Sequence, residues 1–348
     1  NHYFIDLEDL VEKDLLKKKD LCSIDWGDNP RQIDYSKIYK SRTKVLKIAY
    51  KRFKKGKGDY QRGYTSFLRK HQFTDYACFR VLKEINGECS WENFPEEYRH
   101  YSADLFSKLK KEYKDEVEFY EWTQYIFLRQ WAVLKDYAEK KDIKIIGIMP
   151  MYVSYDSIDV YKNRKNFRLN EDSKMDVVAG YPPDVFFSKG QVWGTPVYDF
   201  DQMKKNNYKF LRDRLNFCYS LYDYVYLNHF RGYLETYLIE NGKEDGLEGQ
   251  FEKSEGLALV DSFIQDKSRV VAEDVDYSSS DIRDVLSELG INDTRVLEFG
   301  YPREETNFNK ANNYPYTCIS FSSTHDCKPL KGYLEDMSSQ DREKAVRE

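Results

Sequence analysis

Apolar side chains recur along residues 109–140 at spacings of three, four and seven, through Leu109, Tyr113, Val117, Tyr120, Phe127, Trp131 and Leu134. That period lays one apolar stripe along a long helix. The pattern then changes. Residues 144–149 read Lys-Ile-Ile-Gly-Ile-Met before Pro150, a nearly continuous apolar run of the kind expected of a strand covered on both faces of a parallel sheet. A second stripe, made by Tyr208, Leu211, Leu215, Cys218 and Tyr222, predicts another helix and leads into a short apolar run that stops at Asn228. Strand-like runs follow at 269–274, 295–299 and 316–322. A helix is expected over 281–289, with Ser280 as its cap and Gly290 as its stop. Strand and helix in alternation predict a parallel α/β architecture.

The remaining stretches carry less period. Tyr3-Phe4-Ile5-Asp6-Leu7 reads as an opening strand, with a short amphipathic helix over 8–19. From Cys22 to Tyr113 the text is mostly helical, broken by Gly27-Asp28-Asn29-Pro30 and Gly56-Lys57-Gly58, and reads as a helical insertion. Residues 152–199 are irregular and rich in Gly and Pro, yet Phe167, Tyr181, Phe186, Phe187, Trp193 and Tyr198 supply too much apolar surface for disorder. A structured loop over a binding site is the expectation. Residues 241–256 read as a polar, glycine-containing loop. The expected division is a barrel strand and helix over 1–20, a helical insertion over 21–115, and barrel strands over 116–348 that carry the long loop.

At 348 residues the chain is long enough for one large α/β barrel or two ordinary domains. A net charge of −5, with charges of both signs, lacks the basic excess of a nucleic-acid binder. The basic run over 51–57 reads as a solvated helix end. No apolar run approaches the ~18 residues of a membrane span, and no signal-peptide pattern opens the chain. The six cysteines form no C-x-x-C pair, so a reducing, cytoplasmic setting is expected. Oligomeric state is not legible. The 30 tyrosines suit sugar binding, each offering a flat apolar face and a hydroxyl, although tyrosine can equally serve as ordinary core.

Three strand ends then stand out, at 225–233, 269–274 and 319–326. They carry His229, Glu273, His325 and Asp326. A (β/α)8 barrel presents its chemistry at such C-terminal strand ends. Two carboxyl groups roughly 5–5.5 Å apart would serve a retaining glycosidase-type reaction. The same four side chains could ligate a divalent ion, but no H-x-x-x-H spacing supports that reading. No G-x-G-x-x-G, P-loop or G-x-S-x-G string is present, which excludes the usual dinucleotide, nucleotide and serine-hydrolase sites.

At these residues the chain resembles the 4-α-glucanotransferases, or amylomaltases, of glycoside hydrolase family 77, and the resemblance runs over almost its whole length. Residues 1–7 resemble N-P-Y-L-I-D-L, and 122–131 resemble a T-Q-W-x-F-x-R-Q-W helix. Residues 145–153 resemble I-I-G-D-x-P-I-Y-V. The long string at 177–198 resembles V-V-A-G-V-P-P-D-Y-F-S-x-T-G-Q-x-W-G-N-P-L-Y. Residues 225–233 resemble V-R-I-D-H-F-R-G-F, 271–274 resemble A-E-D-L-G, and 323–326 resemble T-G-T-H-D. The resemblance implies a (β/α)8 TIM-type barrel with helical insertions that transfers α-1,4-glucan segments between maltodextrins, with no metal or organic cofactor. By matching position it implies Glu273 as acid/base and Asp326 as transition-state stabiliser. His229, His325, Gln191 and Trp193 would bind the sugars, with Trp193 as a stacking platform.

Four positions depart from the pattern. Asn228 stands where the family has the nucleophilic Asp, Tyr226 where it has the Arg that orients it, Ile148 where it has the Asp of G-D-x-P, and Cys327 where an Asn follows T-H-D. The family pattern also extends before Asn1 and past Glu348, so the barrel is expected to lack its strands 1 and 8 and to be open or irregularly closed. Three functions are therefore open: a working transferase of α-1,4-glucan oligosaccharides, a catalytically inactive α-glucan-binding member, and a decayed reading frame.

Overall fold

The computed structural model describes residues 2–22, 24–29, 31–56, 59–61, 63–70, 73–184, 187–273, 280–301, 306–324 and 327–347. The chain divides into two compact units, Asn1–Ile143 and Lys144–Glu348. The break follows the long helix, whereas the sequence pattern placed it near 115.

Among the described residues the regular structure of the first unit is all helical. The opening segment is not a strand: a 3-10 turn over His2–Phe4 precedes the helix Leu7–Glu12, whose first-turn N–H groups of Glu8 and Asp9 are accepted by the Asp6 side chain. That cap satisfies donors a helix start leaves open and outweighs the strand preference of Tyr-Phe-Ile. The predicted long helix is two, Ala103–Glu112 and Lys114–Lys140, parted at Tyr113. Helices Tyr35–Lys54 and Thr74–Ile85 bury Leu46, Phe53 and Leu82, and the long helix buries Trp122, Tyr125 and Ile126. Gln130 ties the unit's ends together. Its amide accepts from the Asp6 N–H at 2.8 Å and donates to the Asp6 carbonyl at 3.0 Å and the Asp9 carboxylate at 2.6 Å.

The second unit holds the sheets. Strands β1 (Ile146–Met149), β2 (Val177–Tyr181), β3 (Gln191–Pro196), β4 (Tyr224–Leu227), β5 (Glu235–Glu240), β6 (Gly249–Lys253), β7 (Val270–Ala272), β8 (Thr294–Val296) and β9 (Ile319–Phe321) follow in order. Parallel pairing joins β1, β4 and β7, and separately β8 and β9. A parallel bridge from Val271 to Asn292 links the two sets. Helices Lys209–Leu221, Leu257–Phe263 and Ser280–Leu289 separate successive parallel strands, the alternation of a (β/α) barrel wall. Val225 and Leu227 of β4, and all of β7, are buried. Among the described residues, β1 and β9 end this row of strands, and Ile146 and Ile148 on β1 are about half exposed.

The long loop over 152–199 turns out to contain regular structure. Strands β2 and β3 pair antiparallel, and β5 and β6 extend them into a four-stranded sheet in the order β3-β2-β5-β6. The expected polar loop over 241–256 therefore contributes a strand, β6, whose residues are mostly exposed. Sequence period missed it because a mostly exposed strand, with Phe251 as its one large apolar residue packed on Tyr237, needs no apolar alternation. Ala179, Val197 and Leu238 form one small core of this sheet, with Tyr152 and Trp193 packed against it. Among the described residues, no helix is long and apolar enough to cross a membrane.

Candidate functional site

The C-terminal ends of β1, β4 and β7 open into a cleft of about 890 Å³, walled on its other side by β2, β3 and the segments that join them. Parallel register brings the ends together. Leu227 pairs with Ala272 and Met149 with Leu227, the Asn228 N–H donates to the Met149 carbonyl at 3.2 Å, and the Glu273 N–H donates to the Leu227 carbonyl at 3.0 Å. Asn228 and Glu273 thus leave neighbouring strands at the same height. Alternation puts Tyr226 on the face of β4 that Asn228 continues, while Val225 and Leu227 face the core.

Among the described residues, Glu273 accepts from Tyr226, Asn228 and His229. Tyr226 donates its hydroxyl at 3.0 Å, Asn228 donates its amide N–H at 2.8 Å, and the backbone N–H of His229 donates to the same oxygen as Asn228. Burial, and after it the Glu273 charge, push the Tyr226 phenol well above its ordinary value, so it remains a protonated donor.

His229 sits at φ 49°, in the left-handed region. Its ring meets the edge of Trp193 at 4.8 Å, with Tyr181 at 6.0 Å and Tyr152 at 6.1 Å. The turn closes this tightly because residue 232 is glycine. A Cβ there would lie 2.9 Å from Met151 Cγ and 3.0 Å from His229 Cδ2. Trp193 donates its indole N–H to the Gln191 side chain at 3.1 Å, which fixes both side chains along β3.

The floor of the cleft is pinned by Arg214, on the helix Lys209–Leu221. Its guanidinium donates to the carbonyls of Pro150 at 2.7 Å and Met151 at 3.1 Å, and to the Tyr198 hydroxyl at 2.8 Å. Those carbonyls lie just past β1, where no sheet partner serves them.

Of the side chains expected at the site, the structure brings Asn228, Glu273, His229, Gln191 and Trp193 into one cleft. His325 and Asp326 lie outside the described residues. Thr324 and Cys327, which flank them, line the same cleft. Sequence reasoning did not assign Tyr152 or Tyr181 to this wall, nor Tyr226 as a partner of Glu273. The alternation of β4 could have found Tyr226, since positions 226 and 228 share a face. Among the described residues, no group of three or more His, Cys, Asp and Glu side chains is arranged to hold a metal ion.

Comparison with known proteins bears on this cleft. The sequence pattern of the family described as 4-alpha-glucanotransferase matches residues 1–348. The chain is similar to the 4-alpha-glucanotransferase of Clostridium butyricum, at 33% identity over 99% of this chain and 72% of that protein. It is similar also to that of Streptococcus pneumoniae, at 31% identity over 100% of this chain and 70% of that protein. In three dimensions it resembles the amylomaltase of Streptococcus agalactiae, solved in complex with acarbose. The TM-score is 0.91 at 27% identity, covering 100% of this chain and 71% of the other.

Proposed function

The chain belongs to the 4-alpha-glucanotransferase family, and from that premise we propose that its cleft binds α-1,4-linked glucan chains without carrying out the two-step transfer. The binding half draws support from the wall of His229, Gln191, Trp193, Tyr152 and Tyr181. Aromatic faces there can lie against the apolar faces of sugar rings, while the imidazole and amide meet hydroxyls. The acarbose bound by the Streptococcus agalactiae amylomaltase points the same way for this fold. His229, Gln191 and Trp193 take the sugar-binding roles, and His325 joins them on sequence position alone.

The catalytic half fails on one observation. Asn228 donates an N–H to Glu273 at 2.8 Å. In a retaining transfer a carboxylate at position 228 would attack the anomeric carbon while Glu273 protonates the leaving oxygen. An acceptor hydroxyl, deprotonated by Glu273, would then release the glucosyl-enzyme. An amide carries no charge and forms no such intermediate. The two groups also touch, whereas the carboxyl groups of retaining enzymes stand roughly 5–5.5 Å apart with the sugar between them. Asp326, the transition-state stabiliser by sequence position, has no intermediate to stabilise while this pair is closed.

A working transferase is the second reading. It is favoured by Glu273, His229, Gln191 and Trp193, which keep the family's residue types around the cleft. Incubation with maltotriose separates the two. We expect neither glucose nor longer maltodextrins to accumulate, and clear disproportionation would sink the silent-site reading. Calorimetric titration with maltoheptaose should give saturable binding; a flat titration alongside absent turnover would leave a relic rather than a binder.

A further inference from the structure

Glu273 has a second reason not to carry a proton, and it lies in the donors around it rather than in the missing nucleophile. Oε1 takes the Tyr226 hydroxyl, while Oε2 takes the Asn228 amide and the His229 backbone N–H. A carboxylate only accepts, so the Tyr226 proton is committed to Glu273 and the phenol oxygen is left to accept from Thr294, which is fully buried on β8. Protonating Glu273 would weaken all three of these hydrogen bonds, because each is donated to the charged carboxylate. The hydroxyl and the amide could reorient, but the His229 N–H belongs to the backbone at the end of β4 and cannot. Among the described residues, the other titratable groups lining the cleft are Tyr152, Tyr181, His229, Asp184, Cys327 and Arg231, and Arg231 is paired with Glu235.

We propose that Tyr226 is a positioning residue which, with Asn228 and the His229 N–H, clamps Glu273 as an anion against position 228. The acid/base is thereby withdrawn from use along with the nucleophile. Restoring a carboxylate at 228 alone would set two anions within hydrogen-bond distance and still leave Glu273 held by Tyr226. This inference rests on the reading of the cleft as a glucan site with Glu273 in the acid/base position, and the measurement that decides it is made without glucan.

The test is carboxylate ¹³C NMR of the full chain labelled at glutamate, with the Glu273 resonance assigned by its loss in Glu273→Gln. The unmodified protein should show a Glu273 midpoint below the ordinary glutamate value of about 4.3. Tyr226→Phe removes one charge-assisted hydrogen bond and should raise that midpoint by about one pH unit. Phenylalanine keeps the ring that meets Phe321 edge-on at 6.2 Å. A midpoint at or above the ordinary value in the unmodified protein overturns the clamp, and so does a midpoint unmoved by Tyr226→Phe. Should Tyr226→Phe not fold cooperatively, the midpoint of the unmodified chain decides alone. Maltoheptaose titration of the same samples keeps the two readings apart. Lost binding with a depressed midpoint would remove the glucan reading and leave the clamp standing.

Discussion

At the scale of single residues, Asn228 matters because an amide donates where a carboxylate would accept. Nitrogen replaces one oxygen at nearly constant volume, and the sign of the interaction with Glu273 reverses. Repulsion between two anions becomes a hydrogen bond that holds the two side chains together. Trp193 is the residue on which binding should depend most directly. It stands edge-on to the His229 ring and is steadied by Gln191, so its face is fixed before a ligand arrives. Trp193→Ala should weaken maltoheptaose binding roughly tenfold, measured by calorimetric titration. Unchanged affinity would mean the sugar lies elsewhere in the cleft.

At the scale of elements, the cleft depends on how the chain leaves β1. Pro150 and Met151 follow its last residue, and their carbonyls are served by Arg214 from the helix Lys209–Leu221 rather than by another strand. Arg214→Met keeps much of the stem but removes the donor to the Pro150 carbonyl and to the Tyr198 hydroxyl oxygen, and leaves the Met151 carbonyl to the Tyr198 hydroxyl. The expected cost is roughly 1–3 kcal/mol in urea unfolding. Maltoheptaose binding should weaken as well, because Tyr152 next along the chain loses its fixed approach to His229 and Trp193. A variant as stable as the parent would show that Arg214 is ornamental to this turn.

At the scale of the whole molecule, stability should depend on acid conditions through the helical unit. Burial, reinforced by positive charge that includes Arg80 and Arg42, lowers the His2 imidazole from its ordinary 6.5 to about 4, and its Nε2 is buried without a hydrogen-bond partner. The folded state therefore favours neutral His2, and the unfolded state binds the proton first. That contribution is fully present above about pH 6.5 and is lost as pH falls toward about 4, amounting to ~3 kcal/mol at most. Thermal unfolding followed across that window should show a fall in midpoint that His2→Phe reduces. A slope identical in both proteins would assign the acid sensitivity to carboxylates instead.

Much of the fold was written in local pattern. The helix Lys209–Leu221 and the strands at 146–149, 224–227 and 270–272 follow from apolar period, because a buried face imposes its spacing on whatever sequence forms it. The family was legible too, since the strings around Trp193, His229 and Glu273 keep residue types that only that site combines. Three things were not legible. The first residues form a capped helix instead of a strand, because the Asp6 cap outweighs propensity over so short a run. Strand β6 left no apolar alternation, because most of it is exposed and Phe251 is its one large apolar residue. The clamp on Glu273 was invisible because Tyr226, Asn228 and Glu273 meet only when β4 and β7 pair in one parallel register. Sequence by itself determined the architecture, the family and the presence of an amide at position 228. Tertiary structure decided what that amide does, because a hydrogen bond between residues 45 positions apart exists only where packing sets their strands side by side.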